Sequence, residues 1–364
     1  MGYVTESHNL YPLSLSQNNI WDVERACPGT SINNICTTLH IQGRVDFPAL
    51  QRSVDFVLAA DGSLRTRFIL QDQTPMQYQA PFQREQVPIY DFSQTSQEGI
   101  HRWEEAFTRE VMPLLDAPLY RFVLLRTGEN TGGLVVKLHH LISDGWTQAL
   151  VCNRIGQVYL DLLAGREPHL DPIPSYENHI EEENRYLTSP AFGRDEAYWK
   201  KVLEQSGEAT MLKSVRGAAV SPVGHRLSFQ LPQDLNNDIY SFCMSRRVAP
   251  FSVFYMALAI YFKRIGGADR FTIGVPIFNR MNFAAKQTSG MFVSTLPFYS
   301  QISGDWTLNE FNDQLNENWF NMLRHQRYPF DKIMQLAGDQ ERLFHIAFSY
   351  QNTQLLESPD AFVR

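Results

Sequence analysis

Apolar residues recur along the chain in two rhythms, and the rhythm changes often enough to outline alternating helices and strands. The run Tyr11-Pro-Leu-Ser-Leu-Ser-Gln-Asn-Asn-Ile-Trp21 opens with a Ser/Pro start signal and ends in large apolar residues, which predicts a helix from about Ser14. Residues 36–42 alternate as a strand does. Leu50, Val54, Phe56, Val57 and Leu58 fall close to a helical stripe over 47–58, Asp61-Gly62 supplies a turn, and 64–70 is extended again. Strands are predicted over 119–126 and 134–138, joined by the hairpin material Gly128-Glu-Asn-Thr-Gly-Gly133. The second of these runs into His139 and His140. After Asp144-Gly145, Trp146, Ala149, Leu150, Ile155, Val158, Tyr159, Leu162 and Leu163 keep helical spacing, with Gly165 as the stop.

Three prolines between 168 and 174 break the pattern and predict a domain boundary, giving lobes at 1–172 and 173–364. The second half predicts a charged helix over 176–203, a flexible Gly/Ser/Ala segment at 206–224 and a strand at 226–231. A helix over 251–264 ends at Gly266-Gly267, followed by strands at 271–275 and 291–299, a helix over 308–323 and a last strand at 343–350. Alternation in both halves argues for two layered α/β (α+β) lobes, with mixed sheets because of the hairpin.

Composition narrows the function. With 43% hydrophobic and 20% charged residues this is an ordinary globular chain, long enough at 364 residues for two cores. A net charge of -7 without any basic block leaves no electrostatic footprint for nucleic acid. The longest apolar run, 253–262, is too short to span hydrocarbon, and Glu6 and His8 stand where a signal peptide would be basic and then apolar, so no membrane partner and a cytoplasmic location are expected. Cys27, Cys36, Cys152 and Cys243 form no C-x-x-C pair or ligand cluster, which predicts reduced thiols and no metal site.

The candidate chemistry is His139-His140-Leu-Ile-Ser-Asp144-Gly145 at a strand-to-helix junction. Successive side chains on a strand face opposite ways, so one histidine is placed in a cleft while the other turns into packed interior. A neutral imidazole handles protons near pH 7. Read alone, such a histidine is more often a satisfied structural residue, Asp144 a helix N-cap and Gly145 an uncrowded turn.

The context of this element changes that balance. His-His-x-x-x-Asp-Gly resembles the signature of condensation domains of nonribosomal peptide synthetases, and six further segments resemble that family's core motifs in order. They are 11–21, Ser63-Leu-Arg65-Thr66-Arg-Phe68, a looser match at 176–199, Ile273-Gly-Val-Pro-Ile-Phe-Asn279-Arg280, Gly290-Met-Phe-Val-Ser294-Thr-Leu296 and His325-Gln-Arg-Tyr-Pro329-Phe330-Asp331. The second motif departs from the family, with Asp61-Gly62-Ser63 where His-Glu usually precedes Leu-Arg.

The resemblance implies two chloramphenicol-acetyltransferase-like lobes in a V-shaped pseudo-dimer with a central tunnel entered by phosphopantetheine arms. It implies amide formation between an acyl thioester and the amine of an aminoacyl group on a peptidyl carrier protein, within a multidomain synthetase whose adjoining domain is an adenylation domain. No cofactor is bound intrinsically, since substrates arrive on phosphopantetheine or coenzyme A. By the same resemblance His140 is catalytic, His139 a structural motif residue, and Asp144 a partner of Arg280 joining the two lobes. Gly145 lines the tunnel at the reaction centre, with Trp146, Asn279 and Ser294 as further tunnel candidates.

The intact histidine pair excludes cyclization relatives, and the fourth to sixth motifs speak against epimerization. The segments 28–35, 241–243, 290–296 and 323–329 resemble starter condensation domains of lipopeptide synthetases, which use acyl-CoA or an acyl-carrier protein, more than elongation domains. The short lead from Met1 agrees with an initiating position, whereas family members usually extend beyond 348–352, so the second lobe is expected to be incomplete. An elongation domain is the alternative subtype. A non-catalytic recruitment domain would have lost the histidine element, and a free-standing acyltransferase of the superfamily lacks support at the sixth and seventh motifs.

Overall fold

Serine and aspartate side chains start the helices that matter most to this fold. The computed structural model describes residues 9–41, 43–206, 209, 224–338, 342–351 and 362–363. In chain order its elements begin with β1 (Tyr11–Pro12), α1 (Leu15–Ala26), β2 (Asn34–Ile41), α2 (Phe47–Ala60), a 3-10 turn (Gly62–Arg65), β3 (Thr66–Gln71) and β4 (Thr74–Gln79). Next come β5 (Ile89–Asp91), α3 (Gln97–Arg109), β6 (Tyr120–Arg126), β7 (Gly132–His139), α4 (Gly145–Leu163), α5 (Tyr176–Leu187) and α6 (Pro190–Gln205). The remainder is α7 (Gln233–Arg246), α8 (Pro250–Gly266), β8 (Arg270–Ile277), α9 (Phe283–Gln287), β9 (Ser294–Gln301), α10 (Leu308–Arg324), α11 (Phe330–Leu336) and β10 (Phe362–Val363).

The chain divides into two compact units, one of Met1–Arg185, Arg280–Phe292 and Thr353–Arg364, the other of Tyr186–Asn279 and Val293–Asn352. This differs from a division at 172/173. The prolines interrupt secondary structure but not packing, because Tyr176 and Ile180 on α5 are buried with Tyr11 and Phe292 of the first unit. The segment 280–292, expected in the second lobe, likewise packs with the first unit.

In the first unit β2, β7 and β6 pair antiparallel, β5 adds parallel to β6 and β10 antiparallel to β2, giving a mixed five-stranded sheet. A three-stranded sheet runs β1-β4-β3. Every position of β7 is buried, as befits a central strand covered on both faces. Val136 and Leu138 pack with α2 and α4, while Val135 packs with Phe107 of α3. Lys137, fully buried, is tolerated because its Nζ donates to the carbonyls of Phe107 (2.5 Å) and Glu110 (2.7 Å) at the C-terminal end of α3.

The second unit pairs β8 with β9 antiparallel, over a core that includes Trp199, Tyr255, Phe298 and Phe311. Gly267, at φ 68, ends α8 in the left-handed conformation that the Gly-Gly stop predicts.

Several elements differ from the sequence expectations. The long helix over 176–203 is two helices, because Pro190 can only begin a helix there and Ser189 is the N-cap. Residues 226–231 join no ladder, and Leu227 and Phe229 are 82% and 87% exposed. The expected strand at 343–350 is one parallel bridge, Ala347 to Gly274. Strand β9 starts at Ser294, three residues late, because the Phe292 N–H is bonded elsewhere, to Asp144. The segment expected to be flexible, 206–224, lies almost wholly outside the described residues. Among the described residues no single helix is long and apolar enough to cross a membrane.

Candidate active site

The end of β7 separates the two histidines as strand alternation requires. His139 is 3% exposed; its Nδ1 accepts the Leu141 N–H (3.1 Å), so the proton is on Nε2, which donates to Glu24 Oε1 of α1 (3.2 Å). Glu24 also accepts from Asn33 Nδ2 at 2.7 Å. Burial would raise the Glu24 carboxyl, but the bonds from His139 and Asn33 outweigh it and hold it below its usual range.

His140 is half-buried and takes the opposite tautomer. Its backbone N–H donates to Asn33 O (2.8 Å), and its Nδ1 lies 3.1 Å from Ser143 O. A carbonyl only accepts, so Nδ1 carries the proton and the Nε2 lone pair is left for another partner. Burial pushes the imidazole below its ordinary pKa, against the opposing pull of Asp144 and the Ser143 carbonyl. The ring is therefore neutral at neutral pH, with a basic nitrogen that has no partner among the described residues and can accept a hydrogen bond or a proton.

Asp144 caps α4, its Oδ1 accepting the Thr147 N–H at 2.8 Å. The same carboxylate takes both Arg280 Nη2 contacts (3.0 and 3.1 Å) and the Phe292 N–H (3.1 Å). Arg280 also donates to the carbonyls of Ala285 and Thr288, each at 2.6 Å, and its guanidinium lies 3.8 Å from the centre of the Phe292 ring. Thr147 Oγ1 accepts from Arg280 and from the Gly290 N–H and donates to Gly290 O. The ion pair lies inside the first unit, which corrects the expectation that it joins the two lobes, since the stretch carrying Arg280 packs with Asp144's own unit. Gly290 is required there. At φ 150, a Cβ would sit 2.1 Å from Tyr176 Cδ2, and that ring is fixed by its hydroxyl, which donates to Met291 O and accepts from Ser14 Oγ.

A second buried ion pair escaped the sequence reading. Arg154 of α4 donates to Asp61 Oδ2 (2.8 Å), Ser289 Oγ (3.0 Å) and Gln287 O (2.5 Å), and Ser289 Oγ donates to Asp61. Asp61 reads as a turn residue beside Gly62, yet its side chain is fully buried. The available signal was the departure at 61–63 from the resembled motif. Thr147 and Phe292 were missed because they act largely through Oγ1 and a backbone N–H within apolar-looking runs.

The other candidates spread over both units. Gly145 is exposed, and a Cβ there would meet nothing within 4 Å. Trp146 donates from Nε1 to Lys286 O at 2.9 Å. In the second unit, Asn279 has φ 54 and Ser294 pairs with Ile277 at the end of the β8–β9 ladder. No group of three His, Cys, Asp or Glu side chains among the described residues is placed to hold a metal ion.

The family model described as "Condensation domain" matches residues 7–362. Surfactin synthase subunit 1 of Bacillus subtilis (strain 168) is 30% identical over 96% of this chain, and one of the plipastatin synthase subunits from the same organism is 27% identical over 97%. The chain spans 10% and 14% of the length of those two proteins. Among solved structures, a mutant starter condensation domain of rhizomide synthetase in complex with C8-CoA and Leu-SNAC is similar at TM-score 0.83 and 25% identity, covering 93% of this chain and 78% of that one. The first condensation domain of the calcium-dependent antibiotic synthetase, with a substrate analogue, shares the mixed α/β fold at TM-score 0.87 and 19% identity, covering 97% and 84%.

Proposed function

From the premise that the chain belongs to the condensation-domain family of nonribosomal peptide synthetases, whose members are amide-forming acyltransferases, we propose that it acts as a starter domain. It transfers an acyl group from acyl-CoA or an acyl-carrier protein to the amine of an aminoacyl group carried on the phosphopantetheine of a peptidyl carrier protein. The amine nitrogen attacks the thioester carbonyl carbon, the C–S bond breaks, and the proton lost by the amine leaves with the thiol. The partner domains are those of a multidomain synthetase, including an adenylation domain, in the cytoplasm.

One observation carries the reading: His140 is half-buried, its Nδ1–H is committed to Ser143 O, and its Nε2 lone pair has no hydrogen-bond partner among the described residues. Such a nitrogen accepts a hydrogen bond from the attacking amine, which orients it and takes up its proton as the tetrahedral adduct forms. His139, bonded at both ring nitrogens, has no capacity left for this and serves structure. Asp144 and Arg280 fix the start of α4 and hence the loop that sets the His140 tautomer. Gly145, Trp146, Asn279 and Ser294 are assigned to the substrate path. The rhizomide synthetase domain bound to an acyl-CoA and an aminoacyl thioester supports the starter role.

The test supplies the chain with an aminoacyl-carrier protein and a panel of acyl-CoAs and follows amide product by mass spectrometry. Acylated aminoacyl-carrier protein is expected, and His140→Ala is expected to form it roughly 10²–10⁴-fold more slowly. Amide formation only from aminoacyl- or peptidyl-carrier donors would identify an elongation domain, and full activity in His140→Ala would remove that residue from the chemistry.

A further inference from the structure

We propose that Gln17 is a positioning residue for His140: its Nε2 holds the Leu141 carbonyl and so fixes the turn whose Ser143 carbonyl sets the His140 tautomer; this rests on the role given to His140 above. Gln17 stands in the first turn of α1, where its Oε1 accepts the Ser14 N–H (2.9 Å) and its own N–H donates to Ser14 Oγ (3.1 Å), a capping box. Glutamate or glutamine closes such a box equally, because only an acceptor is needed. The carboxamide nitrogen is therefore surplus to capping. It donates instead to Leu141 O (2.8 Å) and to Gln77 Oε1 of β4 (3.0 Å), and Gln77 Nε2 donates in return to Gln17 Oε1 (2.7 Å) and to Pro12 O (2.9 Å). Gln17 and Gln77 are 1% and 0% exposed, and every N–H of both carboxamides has an acceptor. Neither amide can rotate without stranding a buried polar group, so the network has no slack.

The bond to Leu141 O falls at the middle of the catalytic turn. The peptide joining Leu141 to Ile142 is held at both ends, with the Ile142 N–H on His139 O (3.0 Å) from within the turn and Leu141 O on Gln17 from outside it. Before it, the His140 N–H is tied to Asn33 O; after it comes Ser143 O, which receives the His140 Nδ1–H. Leu141 and Ile142 are buried, so water is no ready substitute for the glutamine. Without the Nε2 donor, the Leu141 carbonyl is unpaired in the interior and its peptide is held at one end, which favours reorientation toward another donor. Ser143 O then shifts from Nδ1, and the neutral ring can carry its proton on either nitrogen. A ring protonated at Nε2 offers the amine no lone pair there.

Three single variants separate positioning from packing. Gln17→Met fills the space without a donor, and Gln17→Glu keeps the acceptor that caps α1 while losing the donor. Gln77→Met opens the network on the β4 side but leaves Gln17 oriented by the Ser14 N–H and bonded to Leu141 O. Nitrogen-15 spectra of histidine-labelled protein, with the His140 signals identified by their absence in His140→Ala, report which ring nitrogen is protonated; thermal melts and the kcat and KM of amide formation are measured beside them. The wild type is expected to show the Nδ1–H tautomer. Both Gln17 variants are expected to mix the two tautomers and to lose about 10- to 100-fold in kcat with the KM for the acyl donor unchanged. Gln77→Met is expected to melt earlier while keeping the wild-type tautomer and kcat. A pure Nδ1–H tautomer in whichever Gln17 variant folds, or the same losses in Gln77→Met, overturns the proposal. The spectra need no substrate, so a chain that forms no amide yet shows the tautomer change refutes the proposed function and leaves the placement of Gln17 intact.

Discussion

Asp144 Oδ1 and Arg280 Nη2 stand 3.0 Å apart with their side chains 0% and 1% exposed, so the two charges are shared with protein groups and with no solvent. The carboxylate is further satisfied by the Thr147 and Phe292 N–H groups and the guanidinium by two carbonyls, which is how a buried pair offsets its desolvation.

Arg280→Ala should strand that carboxylate and cost about 3–5 kcal/mol, read as a lower denaturation midpoint with an unchanged slope. An Arg280→Ala protein as stable as wild type would show that the pair contributes nothing to folding.

His140 predicts the pH dependence. Its pKa is lowered by burial, so the neutral, competent ring persists below the ordinary histidine value of about 6.5. Amide formation should rise with pH to a plateau reached by neutrality, with its inflection on the acid side of that value. The unfolded chain binds this proton more readily than the folded one, so the stability contribution is complete above about pH 6.5 and is lost as pH falls through the folded value. An inflection above pH 7, or one that persists unchanged in His140→Ala, would exclude His140 as its origin.

Glu24 has the same sense for a different reason. Its carboxyl is held low by His139 and Asn33, so its contribution is present above the unfolded carboxylate pKa and lost as pH drops through the folded one. Glu24→Ala leaves the His139 Nε2–H and Asn33 amide without their acceptor and should cost about 1–3 kcal/mol at neutral pH. Its acid-unfolding curve should also be flatter between those two values, as acid titration followed by circular dichroism would reveal.

The Asp61–Arg154 pair should respond asymmetrically. Burial already raises the Asp61 pKa, so Arg154→Ala leaves a carboxyl that can take up a proton and become neutral. Asp61→Ala leaves a guanidinium that cannot shed its charge. Urea titration should therefore find Asp61→Ala the costlier change, at about 3–5 kcal/mol, and the reverse order would contradict this account.

Gly290→Ala should destabilise by about 1–3 kcal/mol, because the added methyl meets the Tyr176 ring at a positive φ. Tyr176→Ala removes the obstructing ring, so in that background the further cost of Gly290→Ala should shrink; an unchanged cost would place the strain in the backbone alone.

Legibility from sequence followed the locality of the signal. Helix α4 was readable because its stripe, its Asp144 cap and its Gly165 stop all lie within one segment, and the β6–β7 hairpin because both strands flank one glycine-rich turn. The break between α5 and α6 was misread although Pro190 marks it, since charged residues continue across it. Residues 226–231 alternate as a strand should, but alternation supplies a face and not a partner. The division into units escaped because it depends on tertiary contacts of Tyr176 and Arg280 that no periodicity encodes. In the site, that the two histidines point opposite ways followed from alternation, whereas their opposite tautomers required seeing Ser143 O and the Leu141 N–H in place.

Residues 280–292 leave the second unit between β8 and β9 and pack with the first. Recombination that exchanges these units at a single crossover near residue 185 would bring an alien arginine-to-phenylalanine stretch against the resident Asp144, Thr147 and Tyr176. Hybrids should tolerate the splice only when that stretch travels with the amino-terminal partner it was shaped to fit, so exchanging the two units as they are composed calls for four junctions rather than one.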